Sequence, residues 1–285
     1  MNPRTIGLVG LGLLGGALAE RFLGAGYSVI GFDLEPGRRR LFAEGGGQAA
    51  ASSRDVARSC DRLVLCLPDT SIVESVLAEI APELRDGLRI IDTTTGDPEQ
   101  TAALGAALSR QGIRYLDATV SGSSEQVRAA QAVVMVGGDQ ADSAACADLF
   151  ACFASQWYHV GPWGSGAKMK LVVNLVLGLN RAALAEGLAL ARACGLDLPE
   201  TLRVLQAGAA YSRVMDAKGR KMIERDFQPQ ARLSQHRKDV RLILAQAERV
   251  GAKVPLSALH FDLLGQVEAA GGGAEDNSAI IRAFD

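Results

Sequence analysis

A lysine and an amide set into an apolar helix are the first chemistry this sequence offers. In the segment AKMKLVVNLVLG, Lys170 and Asn174 stand four residues apart, and Gly178 and Arg181 continue the same helical stripe. Leu171, Val172, Val173, Leu175, Val176 and Leu177 surround them, so the two polar groups must face something polar. Burial beside an apolar wall lowers a lysine pKa from its reference of about 10.4, the direction a proton donor and acceptor near neutrality requires. Lys168 lies off that stripe and has the plainer reading of a side chain snorkelling from a helix end.

A second constellation lies at the N-terminus. Gly10-Leu11-Gly12-Leu13-Leu14-Gly15 is a G-x-G-x-x-G directly after a strand-like run and directly before a helix-like one. The first glycine permits a tight turn, the second lets backbone approach a pyrophosphate, and the third lets helix pack on strand. Asp33 ends the next strand-like run, eighteen residues past Gly15, where an acid can take the ribose hydroxyls of an adenosine. Asp33 and Glu35 repel a 2′-phosphate and favour NAD over NADP. Arg38, Arg39 and Arg40 leave two readings open, a phosphate clamp or a solvated helix face.

Two further segments close strand-like runs with hydroxyl groups. Thr93, Thr94 and Thr95 follow Asp92, and in open α/β sheets ligands lie beyond the carboxyl ends of strands, which places Thr94 and Thr95 near a nicotinamide; a helix N-cap ahead of Pro98 is the alternative. The stretch DATVSGSS, residues 117–124, reads as a strand-end loop whose N–H groups and serines could seat a carboxylate, or as a polar turn.

The elements that must position these groups follow from pattern. Continuous apolar runs at residues 5–9, 28–32, 63–67, 88–92 and 133–136 suit strands covered on both faces, and helix-length segments such as 14–24 and 98–110 lie between them. That rhythm predicts an α/β fold with a doubly wound parallel sheet of Rossmann type over residues 1–162. After Gly161 the strand-like runs stop. A helix of roughly 25 to 30 residues is predicted from Ala167, with no proline before Pro199, opening an all-α domain over 163–285 and able to link the two domains. Gly271-Gly272-Gly273 reads as a loop before a last helix.

With 285 residues, 48% of them apolar, and 30 Lys+Arg against 32 Asp+Glu, the chain has an ordinary globular composition with no basic excess for nucleic acid or acidic membranes. Small molecules are the expected partners. The start, MNPRTIGLVG, lacks the flanking charge and cleavage pattern of an export signal, so a cytoplasmic location is expected. The apolar stretch 171–191 contains Arg181 and Glu186, which favours a buried helix over a membrane span. Five scattered cysteines and three distant histidines suggest neither a disulfide framework nor a metal site.

Taken together the sequence resembles the β-hydroxyacid dehydrogenases, the family that includes 3-hydroxyisobutyrate dehydrogenase and tartronate semialdehyde reductase. The resemblance spans nearly the whole chain and rests on five motifs in the family's order: GLVGLGLLGGALA, DTTT, DATVSGSSEQVRAAQAVVMVGG, GSGAKMKLVVN and HRKDVRLIL. It implies that Lys170 is the catalytic lysine with Asn174 as its amide partner, and that Ser121, Gly122 and Ser123 hold the substrate carboxylate. It further implies that Leu67, Pro68 and Thr95 line the cofactor alongside Gly10, Leu11, Gly12, Leu13, Leu14, Gly15 and Asp33, and that Lys238 reaches the cofactor region from the helical domain. The implied reaction transfers a hydride between NAD(P) and a short 3-hydroxy acid. The implied assembly is a homodimer or homotetramer. Leu14 replaces the family's usual methionine, Ser123 a usual glycine, and Ala130-Gln131 a usual Gly-Thr pair. Ser123 narrows the site and adds a hydroxyl, while Glu125 and Gln126 either touch a polar substrate or face solvent. Two rivals remain: an imine reductase of related architecture, a group that generally lacks the lysine, and a cofactor-binding module without catalysis.

Overall fold

The computed structural model describes residues 5–285; residues 1–4, the start of the stretch read above for an export signal, lie outside the described residues. The first part of the chain runs β1 Thr5–Val9, α1 Leu13–Gly24, β2 Ser28–Phe32, α2 Pro36–Glu44, β3 Gln48–Ala49, α3 Ser53–Arg58, β4 Arg62–Leu65, α4 Thr70–Ile80, β5 Arg89–Asp92 and α5 Pro98–Ser109. It continues through β6 Arg114–Ser121, α6 Ser124–Arg128, β7 Ala132–Gly138, α7 Gln140–Ala144, α8 Ala147–Phe153 and β8 Ala154–Gly161 to α9 Ser165–Ala193. The helical part follows with α10 Leu198–Ala207, α11 Arg220–Glu224, α12 Leu233–Val250 and α13 Pro255–Ala269. The expected last helix is a 3-10 run, Asn277–Phe284.

All eight strands form one sheet in the order β3-β2-β1-β4-β5-β6-β7-β8. The pairs from β3 through β6 are parallel, and the fold is the expected Rossmann-type α/β arrangement. Side chains alternate between two cores. Ile6, Leu8, Val64, Ile91, Leu116 and Val120 pack with α1 and α8 residues on one face, while Val9, Leu63, Leu65, Ile90 and Tyr115 pack with residues of α3, α4 and α5 on the other. Cover on both faces explains the unbroken apolar runs.

The sheet also departs from the all-parallel expectation. β7 pairs antiparallel to β6, with Asp117 opposite Gly137 and Val120 opposite Val134, and β8 runs parallel to β7. The residues read as a strand-end loop at 117–124 are therefore mostly strand: β6 extends through Ser121, and only Gly122 and Ser123 connect it to α6. Strands β3, β6 and β8 escape the pattern because each is short, polar or both; β8, ASQWYHVG, exposes most of its side chains at the sheet edge. Reversal at β7 has a mechanical result. The chain leaves β8 at the edge opposite the carboxyl ends of β1 to β6, so α9 starts there and runs alongside β6 toward those ends.

Two compact units divide the chain, residues 1–170 and 171–285, and the division falls inside α9. The second unit has its own core of Leu184, Leu188, Leu202, Met222, Leu233, Val240, Leu264, Ile280 and Ile281. Its anchor is a buried ion pair: Lys218 Nζ lies 2.8 and 2.9 Å from the two Asp276 oxygens, which also accept from the Gln230, Ala231 and Ser278 N–H groups. Among the described residues α9 is the one helix long and apolar enough to cross a membrane. Its polar residues Lys170, Asn174 and Arg181 are buried, whereas Val172 and Val176 are exposed.

Candidate active site

The turn from β1 into α1 shows which of its glycines the protein itself needs. A Cβ on Gly10 would lie 2.2 Å from the Cys66 carbonyl oxygen, and one on Gly15 would lie 2.0 Å from the Gly10 carbonyl oxygen; Gly10 also has φ +96°. Gly12 is different. Its Cβ would meet only Arg38 Nη1, at 3.7 Å, so packing does not require a glycine there. Gly12 is the N-cap of the twelve-residue α1, with no side chain capping it, and the helix N-terminus is left to an anion that approaches the bare backbone. The cradle fits the pyrophosphate of a dinucleotide.

Asp33 ties the turn after β1 to the residues that follow β2. Its Oδ2 accepts from the Leu11 N–H at 2.8 Å and its Oδ1 from the Glu35 N–H at 2.9 Å, while Arg38 Nη1 pairs with Oδ2 at 3.2 Å. Arg39 donates to the Asp33 and Leu34 carbonyls and lies over the Phe32 ring. Of the three arginines, only Arg40 matches the solvated-face reading; it is highly exposed and sits near Glu44.

At the ends of β4 and β5, Thr94 is buried and its Oγ1 accepts from the Leu67 N–H at 3.2 Å, which ties the Leu67-Pro68 turn to the threonine run. Asp97, rather than either threonine, caps α5 by accepting from the Glu99 and Gln100 N–H groups. That removes the N-cap explanation for Thr94 and Thr95. Beneath them Asp92 accepts from the Tyr115 hydroxyl and the Thr94 N–H, and burial pushes its carboxyl up.

Lys170 is placed by a ladder between β6 and the first turns of α9. Asp117, Thr119 and Ser121 alternate along one side of β6, away from the buried Leu116, Ala118 and Val120. Asp117 Oδ2 accepts from the Ala167 N–H at 2.9 Å, Thr119 donates to the Gly166 carbonyl at 2.9 Å, and Lys170 Nζ donates to the Val120 carbonyl at 2.6 Å. The lysine is 8% exposed, so its ammonium is held at the carboxyl end of β6 with little water. Lys168 points elsewhere, 3.1 Å from Glu99 on the surface. Burial pushes the Asp117 carboxyl up to about 7, against the pull of the Ala167 and Gly164 N–H groups. Sequence reasoning gave Asp117 and Thr119 no individual role; their i, i+2, i+4 spacing with Ser121 was the available signal.

The connection from β6 to α6 departs from expectation at Ser123. Its Oγ accepts from the Gln126 N–H and its own N–H donates to Gln126 Oε1 at 2.9 Å, a reciprocal cap on α6. Ser123 is thus engaged by Gln126, while Gly122, at φ +151°, presents its backbone beside Ser121. Gln126 serves this cap, and Glu125 is exposed.

In the second unit Asn174 is buried and its Nδ2 donates to Asp239 Oδ2 at 2.8 Å. Lys238 Nζ lies 2.8 Å from the other Asp239 oxygen. Asp239 received no role from the sequence beyond its place in the Lys-Asp pair.

Residues 5–161 match the family model described as the NAD-binding domain of 6-phosphogluconate dehydrogenase, and residues 164–284 match that described as the NAD-binding domain of NADP-dependent 3-hydroxyisobutyrate dehydrogenase. The chain belongs to the 3-hydroxyisobutyrate dehydrogenase-like family. This dehydrogenase is 32% identical to 2-(hydroxymethyl)glutarate dehydrogenase of Eubacterium barkeri, over 98% of the chain and 94% of that relative. It is 30% identical to L-threonate dehydrogenase of Cupriavidus necator, over 99% and 96%. The crystal structure of 3-hydroxyisobutyrate dehydrogenase from Salmonella typhimurium superposes with a TM-score of 0.90 at 28% identity, covering 98% and 99% of the two chains. An imine reductase from Pseudomonas sp., at 18% identity and a TM-score of 0.69 over the full length of both chains, shares the fold alone. The dehydrogenase is an NAD(P)-dependent oxidoreductase.

Proposed function

We propose that this dehydrogenase interconverts a short 3-hydroxy acid and its carbonyl product with Lys170 as general base and acid. The observation that carries the reading is the placement of Lys170 Nζ, buried and held 2.6 Å from the Val120 carbonyl at the carboxyl end of β6. NAD(P), when bound, accepts and donates the hydride. Gly10, Leu11, Gly12, Leu13, Leu14 and Gly15 would hold its pyrophosphate, Asp33 its ribose, and Leu67, Pro68 and Thr95 its nicotinamide side. Lys238 is proposed as a further cofactor-region contact on the resemblance alone.

Lys170 takes the hydroxyl proton as the alcohol is oxidised and returns it in reduction, and Asn174, one turn on along α9, completes the polar lining around the reacting oxygen. Ser121 and Gly122 would seat the substrate carboxylate. Ser123 joins them only when Gln126 Oε1 leaves its N–H, so a carboxylate oxygen competes with a carboxamide oxygen for that donor. NAD is the preferred cofactor in this proposal, because a ribose 2′-phosphate would meet the Asp33 carboxylate. The protein is proposed to work in the cytoplasm as a homodimer or homotetramer, and the exposed Val172, Val176 and Leu190 of α9 offer apolar area for pairing.

The test is reduced-cofactor absorbance with a panel of short 3-hydroxy acids, wild type beside Lys170→Ala. Loss of general acid–base help lowers kcat by about 10²- to 10⁴-fold, with cofactor affinity unchanged. Wild-type turnover in Lys170→Ala refutes the assignment.

A further inference from the structure

A chain of buried polar side chains runs through the helical unit. Asn174 and Arg181 on α9, His236 and Asp239 on α12, and His260 on α13 are all less than 8% exposed. Gly178 lets them close together: a Cβ there would lie 2.6 Å from His236 Nε2 and 2.7 Å from His260 Cε1. The two imidazoles stand 5.2 Å apart, and burial with the Arg181 charge pushes the His260 pKa down to about 4, so that ring is neutral at pH 7. Asp239 faces two cations, Lys238 at 2.8 Å and the buried Arg181 guanidinium, whose proton the Asp239 and Asp276 charges help retain against burial.

The bond from Asn174 Nδ2 to Asp239 Oδ2, at 2.8 Å, has a chemical direction. An ionised carboxylate only accepts, so the amide must turn its NH2 toward Asp239 and its carbonyl oxygen away from it. We infer that Asp239 is a positioning residue that fixes Asn174 as a hydrogen-bond acceptor toward the reacting groups. One of the two Asn174 N–H groups is thereby committed to Asp239 and its carbonyl oxygen is presented on the far side, where it takes a proton-bearing partner, an amine N–H or the substrate hydroxyl. In the neutral amine form, Lys170 has two N–H groups and one lone pair. With one N–H on the Val120 carbonyl, the lone pair is left for the hydroxyl proton. The inference rests on the proposed pairing of Lys170 with Asn174.

Exchanging the two groups tests it. Asn174→Asp sets two carboxylates face to face, and kcat is expected to fall about 10²-fold or more. Asp239→Asn frees the amide to turn over, and kcat is expected to fall about tenfold to 10²-fold with little change in KM. The double variant Asn174→Asp, Asp239→Asn restores a donor facing an acceptor and still presents an oxygen at position 174, so its kcat recovers to within about tenfold of wild type. It also moves a negative charge toward Lys170, and the acid limb of its kcat/KM profile shifts to higher pH. A double variant as inactive as Asn174→Asp overturns the inference, because Asn174 must then donate. Wild-type kcat in Asp239→Asn overturns it as well. Lys170→Ala, assayed in parallel, separates the two claims: its activity sinks the catalytic reading, whereas an inactive Lys170→Ala beside a fully active Asp239→Asn sinks only the positioning role. Should Asp239→Asn fail to fold, Asn174→Asp against the double variant decides the question.

Discussion

Replacing Asp117 by asparagine should flatten the pH dependence of stability. Asp117 is 1% exposed, its Oδ2 holds the Ala167 N–H at the start of α9, and its Oδ1 makes no hydrogen bond. Burial raises its carboxyl to about 7 in the folded protein, against about 3.9 in an unfolded chain. Between those values the folded state binds the proton more strongly, so stability falls as pH rises from about 4 to about 7 and is level above that. From pH 5 to pH 8 the titration spans about two units below the folded value, worth about 3 kcal/mol at about 1.4 kcal/mol per unit. At about 2 to 4 °C per kcal/mol for a chain near this size, the wild-type Tm should drop about 5 to 10 °C more than that of Asp117→Asn across the interval. The asparagine keeps an oxygen for Ala167 and buries an NH2 in place of the unbonded Oδ1, so its Tm at pH 5 is expected to be lower; the slope is the quantity that decides. Thermal unfolding followed by circular dichroism in matched buffers measures it. Other titrating groups, including the buried His260, are common to both proteins and cancel in the difference. Equal slopes for the two proteins would refute the argument that a buried carboxyl clamps α9.

Gly12→Ala should leave Tm within about 2 °C yet weaken NAD(P) at least about tenfold by fluorescence titration. Gly15→Ala, whose Cβ would sit 2.0 Å from a carbonyl oxygen, should lose about 1 to 3 kcal/mol of stability as well. A Gly12→Ala protein that binds cofactor normally would remove the dinucleotide cradle. Asp33→Ser releases Arg38 from its 3.2 Å ion pair, and the ratio of kcat/KM for NADP over NAD should rise about tenfold or more; an unchanged ratio means that Asp33 does not select the cofactor. Lys218→Met strands the fully buried Asp276 carboxylate with only backbone donors and should cost about 3 to 5 kcal/mol by urea denaturation; a loss under about 1 kcal/mol would show that those N–H groups suffice.

Much of this architecture can be read from the chain alone where the signal is local. β1 and β2 fall at the expected residues because each is a short apolar run covered on both faces, and α9 has the expected length because no proline or glycine pair interrupts it. Sheet direction is different in kind. Nothing in the VVMV run distinguishes parallel from antiparallel pairing, and the reversal at β7 is decided by its long-range partners on β6. The same holds at the site. Lys170 and Asn174 are visible because they interrupt an apolar helix, but Asp117, the Val120 carbonyl and Asp239 act across 50, 50 and 65 residues of sequence. The arginines after Glu35 were ambiguous for a similar reason: only folding shows Arg38 turned onto Asp33.

Where α9 begins, main chain lies directly on main chain. A Cβ on Gly137 would lie 2.2 Å from Asp117 Oδ1, and one on Gly166 would lie 2.2 Å from the Asp117 carbonyl oxygen. Anyone diversifying this scaffold by random libraries should freeze both codons, since even alanine pries the lysine-bearing helix off its strand. Variation is better spent on Ser123 and Gln126, whose side chains bond with each other, and where the proposed carboxylate seat can be altered without touching the contacts that hold Lys170.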